Sequence, residues 1–154
     1  MTIRPRRSLL YMPGSNPRAL DKARTLPADG LILDLEDAVA PDAKALAREQ
    51  IVAALAEGGY GLRELLVLIN ALSTVWGAED VRAISAAATP PDAVLIPKVS
   101  TAADVQEAIS AFESAGCLAS VDFWIMIETP LCILNIAEVT AAHARLKGVV
   151  MGTS

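Results

Sequence analysis

The chain has 154 residues, of which 53% are hydrophobic and 20% charged, and its formal net charge is −5. This length fits one domain with a substantial core, and the hydrophobic content excludes an intrinsically disordered chain. The acidic balance argues against a nucleic-acid-binding protein, and no apolar run reaches the roughly 18 residues of a membrane span. The two cysteines show neither metal-ligand spacing nor a disulfide pattern, and the sequence shows no secretory signal. These features favour a cytoplasmic protein.

Six short apolar runs alternate along the chain with segments of helical periodicity. The runs are residues 8–12, 30–35, 65–70, 93–97, 121–127 and 148–152. The helices between them are predicted from apolar residues that share one face: Ala19, Leu20, Ala23 and Leu26; then Ala43, Leu46, Ala47, Ile51, Ala54 and Leu55; then Val81, Ile84 and Ala88; then Val105, Ala108, Ile109, Phe112 and Ala115; and last Ile136, Val139 and Leu146. Continuous apolar runs separated by helices predict parallel strands that are buried on both faces.

This alternation predicts an α/β fold, for which two architectures compete. One is an open, doubly wound sheet, and the other is a TIM-type (β/α)8 barrel. A complete barrel usually needs about 250 residues. Six strands in 154 residues therefore favour a barrel truncated after its sixth strand, so that residues 1–154 form one domain, the amino-terminal part of a longer one.

Polar side chains follow several strands at the edge where α/β folds bind ligands. Asp34, Glu36 and Asp37 follow the second run, Lys98 follows the fourth, and Glu128 follows the fifth. Carboxylates that converge on one edge suit a hard cation such as Mg²⁺. The alternative for the three acids after the second run is a solvated turn, and the alternative for the lysine is a salt bridge. Glu128 directly follows an apolar strand, where an unpaired charge would be poorly solvated.

Five segments of the chain, in this order, resemble the HpcH/HpaI aldolase and citrate lyase β-subunit family. They are residues 7–15 (RSLLYMPGS), 33–39 (LDLEDAV), 96–99 (IPKV), 126–131 (MIETPL) and 151–153 (MGT). The resemblance covers the whole chain and is greatest to the citrate-lyase-β-like and malyl- or citramalyl-CoA lyase branch. It implies a (β/α)8 barrel that binds Mg²⁺ and breaks or forms a carbon–carbon bond in an acyl-CoA thioester or keto-acid substrate.

The resemblance also implies roles for individual residues. Glu128 matches the first metal-binding carboxylate of the family. Glu36 and Asp37 match an acidic pair that orders the site and takes part in proton transfer. Lys98 matches a lysine that pairs with these acids.

Five further residues match the family's substrate-binding positions. Arg7 matches an arginine at the mouth of the site. The turn formed by Pro13, Gly14 and Ser15 matches a loop near the CoA or substrate, and Asn70 matches the asparagine after the third strand.

The sequence departs from the family pattern at three places. Leu68 stands where the family usually has an arginine that stabilises the enolate or carboxylate, and Ser100 stands where an acidic residue often follows Pro-Lys-Val. After Met-Gly-Thr the family continues with Asn-Asp, whose aspartate is the second metal carboxylate, whereas this sequence ends at Ser154.

Three functions are consistent with this pattern. The first is a Mg²⁺-dependent lyase acting on a thioester such as citryl-, malyl- or citramalyl-CoA. Its activity is in doubt because Leu68 replaces the arginine and because this sequence ends before the second metal carboxylate. The second is a non-catalytic fragment or an assembly or binding module that retains the fold, and the third is an aldolase that acts on free keto acids. A barrel opened after six strands would expose two strand edges, so we expect a homo-oligomer, with neither nucleic acid nor membrane as a partner.

Overall fold

The computed structural model describes residues 4–152, in which six strands alternate with helices as the sequence predicts. The strands are β1 (Leu9–Pro13), β2 (Gly30–Asp34), β3 (Glu64–Leu68), β4 (Ala93–Ile96), β5 (Asp122–Ile127) and β6 (Leu146–Met151). The helices are α1 (Pro17–Ala23), α2 (Lys44–Glu57), α3 (Gly77–Ser85), α4 (Ala102–Ser114), α5 (Pro130–Leu134) and α6 (Ile136–Thr140), with a 3₁₀ turn at Pro41–Ala43 before α2. None of the helices between residues 4 and 152 is both long and apolar enough to cross a membrane.

All six strands are parallel and lie in one sheet in the order β1-β2-β3-β4-β5-β6. The predicted α/β fold is therefore confirmed, and this sequential order is the one a β/α barrel requires. Within the described residues β1 does not pair with β6, so the sheet is open.

Alternating residues of the strands contribute to two separate clusters. The larger one, between the sheet and the helices, includes Leu31, Leu33, Val67, Val94 and Ile125. The second covers the opposite face of the sheet and consists of Ile32, Leu66, Leu68, Ala93, Leu95, Trp124 and Met126. Strands β2 to β5 are thus buried on both faces, which explains why they read as continuous apolar runs. The edge strands β1 and β6 differ from this prediction, because each lacks a neighbour on one side in the part of the chain that the structure describes and is partly exposed.

The register aligns the carboxyl ends of neighbouring strands. Pro13 pairs with Asp34, which in turn pairs with Leu68. At the other end of the strand order, Ile127 of β5 pairs with Met151 of β6. The loops that follow these strands therefore open on one edge.

Two predicted helices differ from those in the structure. The first ends at Ala23, so Leu26 lies outside it, in keeping with the non-helical backbone favoured by a residue before proline. The predicted last helix, which was expected to include Leu146, is divided into α5 and α6 at Asn135, whose side-chain amide donates to the Ser100 carbonyl at 3.1 Å. Leu146 instead begins β6 and pairs with Phe123.

Candidate active site

The turn after β2 is shaped by a buried carboxylate. Asp34 is only 3% exposed, and its two oxygens accept hydrogen bonds from the backbone N–H groups of Glu36 at 2.6 Å and Ala38 at 3.4 Å. Burial raises the pKa of Asp34, and these two hydrogen bonds oppose that rise. Asp34 therefore organises the turn, while Glu36 and Asp37 project from it.

A buried lysine secures the same turn from behind. Lys44 Nζ donates to the carbonyls of Leu35 at 2.9 Å and Glu36 at 2.7 Å, and it lies 5.2 Å from the centroid of the Trp76 ring. Burial lowers the pKa of this ammonium group, against the attraction of nearby carboxylates. The sequence analysis missed Lys44. Its position three residues before Ala47 and seven before Ile51, on the buried stripe of α2, is the signal that could have identified it.

Lys98 adopts an unusual backbone conformation directly after β4. Its φ of 55° lies in the left-handed region, which non-glycine residues seldom occupy. In this conformation the Lys98 N–H donates to Glu128 Oε1 at 2.6 Å, and the ammonium of the same residue contacts Glu128 Oε2 at 3.0 Å. One residue therefore engages both oxygens of Glu128.

The same ammonium joins the acids that follow β2 to Glu128. Lys98 Nζ lies 3.3 Å from Glu36 Oε1 and 3.7 Å from Asp37 Oδ2. The structure thus brings together Glu36, Asp37, Lys98 and Glu128, which the sequence predicted to form one site. We call these four residues the carboxylate cluster.

The members of the carboxylate cluster differ in their contact with solvent. The side chain of Glu128 is 3% exposed and that of Glu36 is 10% exposed, whereas that of Asp37 is 59% exposed. Glu36 Oε2 is buried without any hydrogen-bond partner. Such an orphaned oxygen is costly in a buried carboxylate, and it is the atom of the site best prepared to take a proton or a ligand.

Burial and charge shift the pKa values of two groups in the cluster. Burial raises the pKa of Glu36, and the attraction of Lys98 only partly offsets this. Burial alone would lower the pKa of Lys98, but its hydrogen bond to Glu128 and the negative charges of Glu36 and Glu128 outweigh that effect and raise the pKa. Lys98 is therefore a permanent cation, and Glu36 is a more basic carboxylate than an exposed one.

Tyr11 of β1 is a further candidate that the sequence analysis overlooked. Burial raises its pKa, and the negative charges of Asp34, Glu128, Asp37 and Glu36 raise it further. Its side chain remains 43% exposed. Successive side chains of a strand alternate between the two faces of the sheet, so Tyr11 shares a face with Leu9 and Pro13. This alternation is the signal that could have identified Tyr11.

The expected position of Arg7 at the mouth of the site is wrong. Arg7 precedes β1, and in a parallel sheet the residue before a strand lies at the amino end, away from the carboxylate cluster. There its guanidinium donates to both oxygens of Asp29, at 2.9 Å and 2.7 Å, and its backbone N–H also donates to Asp29 at 2.8 Å.

The turn after β1 lies at the expected edge of the sheet. The Gly14 N–H donates to the Asp34 carbonyl at 2.8 Å, and a Cβ at this glycine would come within 2.7 Å of Ile51 Cδ1. Glycine is therefore needed for the close approach of β1 to β2 and α2. Substrate binding by Pro13, Gly14 and Ser15 stays a prediction. The Asn16 side chain accepts a hydrogen bond from the N–H of Ala19 at 3.1 Å and caps the start of α1.

Asn70 is committed to the protein interior, where it is 2% exposed. Its side-chain amide donates to the Leu35 carbonyl at 2.9 Å and to Asp80 Oδ2 at 2.7 Å. The structure therefore shows Asn70 as a support of the turn that carries Glu36. Its predicted role in substrate binding is untested.

The two departures from the family pattern that lie inside the described residues have clear structural surroundings. Leu68 is 1% exposed and packs in the cluster on the second face of the sheet, so this position contributes no positive charge. Ser100 shares a hydrogen bond of 3.0 Å with the Thr129 hydroxyl and links the loops after β4 and β5. The Met-Gly-Thr segment ends at Thr153, which lies outside the described residues.

The donor chemistry of the carboxylate cluster fits a hard divalent cation. Glu36, Asp37 and Glu128 offer carboxylate oxygens, which Mg²⁺ prefers, and Glu36 Oε2 has no competing partner. From Arg4 to Gly152, however, no three or more Asp, Glu, His or Cys side chains are already grouped around a metal position. Instead, the Lys98 ammonium lies among the three acids.

A cavity of about 850 Å³ lies at the opposite, amino ends of the strands. Four of its charged lining residues already form ion pairs with one another, Arg6 with Glu64 at 2.6 Å and Arg4 with Asp92 at 2.9 Å. Since paired charges leave little to bind a ligand, we place the candidate active site at the carboxylate cluster.

Comparison with known proteins identifies the family of the chain. A model of the family described as HpcH/HpaI aldolase/citrate lyase matches residues 7–154. The chain is 49% identical over 150 residues to a (3S)-malyl-CoA thioesterase from Cereibacter sphaeroides, covering 97% of this chain and 50% of that protein. It is 38% identical over 156 residues to an L-malyl-CoA/beta-methylmalyl-CoA lyase from the same species, covering 98% of this chain and 49% of that protein.

Solved structures show the same fold. The citrate lyase beta subunit from Mycobacterium tuberculosis superposes with a TM-score of 0.73 at 31% identity, over 94% of this chain and 57% of that one. Another structure, of CitE from that organism in complex with magnesium, acetoacetate and coenzyme A, gives a TM-score of 0.72 at 31% identity, over 94% of this chain and 47% of that one. The chain thus spans about half the length of the curated relatives it matches. The chain belongs to the HpcH/HpaI aldolase/citrate lyase family.

Proposed function

We propose that this chain supplies the acidic part of a Mg²⁺-dependent site that cleaves a carbon–carbon bond in a CoA thioester of the malyl type. The observation that carries the proposal is the convergence of Glu36, Asp37 and Glu128 on one cation position at the carboxyl ends of the strands. Relatives named for malyl-CoA chemistry, and a structural neighbour that holds magnesium and coenzyme A, support it.

Glu36 is the proton acceptor in this proposal. Its Oε2 atom has no partner, and burial raises its pKa. Oε2 removes the proton of the substrate hydroxyl group. The hydroxyl oxygen of the substrate then forms a carbonyl while the adjacent carbon–carbon bond breaks. The electron pair of that bond passes to the thioester enolate, and the proton held by Glu36 returns to the enolate carbon. The products are an acyl-CoA and a 2-oxo acid.

Glu128 would hold the cation, with Asp37 or Glu36 assisting. When bound, Mg²⁺ supplies positive charge to the carboxylate and the developing oxyanion of the substrate. Leu68 offers no charge of its own at the end of β3, so the reaction relies on the cation and the carboxylate cluster.

Hydrolysis of the same thioester is the second candidate. The observation in favour of hydrolysis is that the chain is 49% identical to a malyl-CoA thioesterase, compared with 38% to a malyl-CoA lyase. In this reaction Glu36 Oε2 would take a proton from a water molecule that attacks the thioester carbonyl. The products would be a hydroxy acid and the free CoA thiol.

Product analysis separates the candidate reactions. Malyl-CoA and Mg²⁺ are incubated with the protein, and the 2-oxo acid is trapped as a hydrazone while free thiol is measured in parallel. Carbon–carbon cleavage gives the 2-oxo acid without thiol, whereas hydrolysis gives thiol without the 2-oxo acid. A third assay, with free 4-hydroxy-2-oxo acids, detects an aldolase that does not need CoA.

Variants connect the product to the site. Glu36→Gln and Glu128→Gln should each lower the rate at least a hundredfold, while Glu138→Gln, an exposed glutamate on α6, serves as the matched control. Absence of product in every assay would overturn the proposed activity and favour an assembly or binding module that keeps the fold.

A further inference from the structure

We propose that the Lys98 ammonium is an internal counter-ion that a divalent cation must displace, and that the cation then binds Glu128 through Oε2 alone. This inference rests on the metal dependence of the proposed function. It assigns Lys98 a role in controlling cation binding, in addition to pairing with the acids.

The two oxygens of Glu128 have different partners. Oε1 accepts the Lys98 backbone N–H at 2.6 Å, whereas Oε2 contacts the side-chain ammonium at 3.0 Å. The first contact is made by the backbone of Lys98, whose φ is 55°. Movement of the side chain releases Oε2 and leaves Oε1 in place, so Glu128 is prepared for a single metal–oxygen bond.

The ammonium occupies the position at which the acids converge. Besides Glu128 Oε2, it lies within 3.3 Å of Glu36 Oε1 and 3.7 Å of Asp37 Oδ2. One positive charge thus faces three carboxylates. Glu36, whose side chain is only 10% exposed, has its second oxygen buried without a partner. A divalent cation would balance this excess negative charge better than one ammonium does.

The lysine side chain is able to leave. Its side chain is 44% exposed, in contrast to 3% for Glu128, so the ammonium can turn toward solvent while the carboxylate stays buried. The exchange therefore needs a change in side-chain rotamers and leaves the backbone fold intact.

Two substitutions remove the ammonium in different ways. Lys98→Gly suits the left-handed backbone and keeps the N–H that bonds Glu128 Oε1, whereas Lys98→Met keeps most of the side-chain bulk. Lys147→Met removes an exposed lysine from β6 and is the charge-matched control. Mn²⁺ is the probe, and its binding is measured by electron paramagnetic resonance, with Mg²⁺ competing for the site.

Both Lys98 variants should bind Mn²⁺ at least tenfold more tightly than the unmodified chain and Lys147→Met. Adding Glu128→Gln to Lys98→Gly should abolish that gain. Unchanged or weaker binding in Lys98→Gly, or no Mn²⁺ binding in any of the proteins, would overturn the inference. Thermal unfolding of each variant, with and without Mn²⁺, shows whether the protein remains folded.

The result is independent of turnover. Tighter Mn²⁺ binding without any product from malyl-CoA would support the counter-ion role while the proposed activity fails. Product formation together with unchanged Mn²⁺ binding in both Lys98 variants would leave the activity standing and refute the counter-ion role.

Discussion

Asn70 donates two hydrogen bonds to a single oxygen atom, Asp80 Oδ2, at 2.8 Å from its backbone N–H and 2.7 Å from its side-chain amide. The other oxygen of Asp80 accepts the Arg48 Nε–H at 2.8 Å, and Asp80 is fully buried. Through the bond from Asn70 to the Leu35 carbonyl, this network connects α2 and α3 to the turn that carries Glu36. Asp80 is therefore the residue through which α2 and α3 support the turn after β2.

Replacing Asp80 should be strongly destabilising. Asp80→Asn removes the charge that balances Arg48, whose side chain is only 14% exposed, and loss of one partner of a buried ion pair typically costs about 3–5 kcal/mol. We expect a loss of this size in the free energy of unfolding measured with urea. Asp42→Asn, at an exposed aspartate, should change it by less than ~0.5 kcal/mol. Similar values for the two variants would show that the network contributes little.

Loss of the Lys44 ammonium should loosen the turn after β2. Lys44→Met removes the charged donor from the Leu35 and Glu36 carbonyls, and a hydrogen bond to a charged group contributes about 1.5–3 kcal/mol. Each carbonyl keeps one other partner, the Asn70 amide and the Val39 N–H respectively, so the turn is weakened and no buried acceptor is left unpaired. The Glu36 and Ala38 amides should then exchange with deuterium faster than in the unmodified chain. Lys22→Met, at an exposed lysine of α1, is the control and should leave their exchange unchanged.

The pair of Arg7 and Asp29 should make folding stability sensitive to acid. The hydrogen bonds from Arg7, followed by its charge, lower the pKa of Asp29 to about 2, below the roughly 3.9 of an unfolded chain. The folded state therefore binds fewer protons in this interval, and the contribution of the pair is complete above about pH 4 and lost as the pH falls toward 2. Urea unfolding of the unmodified chain and Asp29→Asn across this interval should show the difference between them shrinking with acidification. A constant difference would contradict the assignment.

Gly148 should not tolerate a side chain. A Cβ at this position would overlap Cδ2, Cε2 and Cε3 of the Trp124 ring, and overpacking of this kind costs about 1–3 kcal/mol. Gly148→Ala should lower the free energy of unfolding by that amount and alter the near-ultraviolet circular dichroism of tryptophan. In a Trp124→Leu background the same alanine should cost clearly less, and an equal cost would show that the ring is not responsible.

The outer edges of β1 and β6 should promote self-association. Neither edge is paired within residues 4–152, and apolar side chains at these strands are exposed, including those of Leu10, Val149 and Met151. We expect sedimentation equilibrium at micromolar concentration to show oligomers, and Val149→Lys combined with Met151→Lys to reduce them. Leu62→Lys, in a loop between α2 and β3, should not. A folded monomer of the unmodified chain would contradict this prediction.

The sequence was sufficient to predict the strands and the meeting of four side chains at the candidate site. Continuous apolar runs reveal strands buried on two faces, and polar residues at their carboxyl ends must then share one edge. Glu36, Asp37, Lys98 and Glu128 were found in this way. Arg7 was misplaced because its membership in a recognisable motif was given more weight than its position before the strand.

Other features depend on contacts that sequence patterns do not contain. The last helix is divided at Asn135, whose side chain bonds to Ser100, 35 residues earlier in the chain. The left-handed backbone of Lys98 is adopted by a residue type without a preference for it, and both the N–H and the ammonium of this residue contact Glu128, 30 residues away. Such conformations are set by tertiary partners and not by local propensity.

The strictly sequential strand order has a consequence for how the protein assembles. Each strand hydrogen-bonds to the strand that precedes it in the chain, so every pairing closes a loop of similar, modest length. The sheet can therefore grow in one direction as the polypeptide leaves the ribosome, with each new β/α unit adding to a surface already formed. On this route Lys98 emerges well before Glu128, and the carboxylate cluster becomes complete only when β5 joins the sheet.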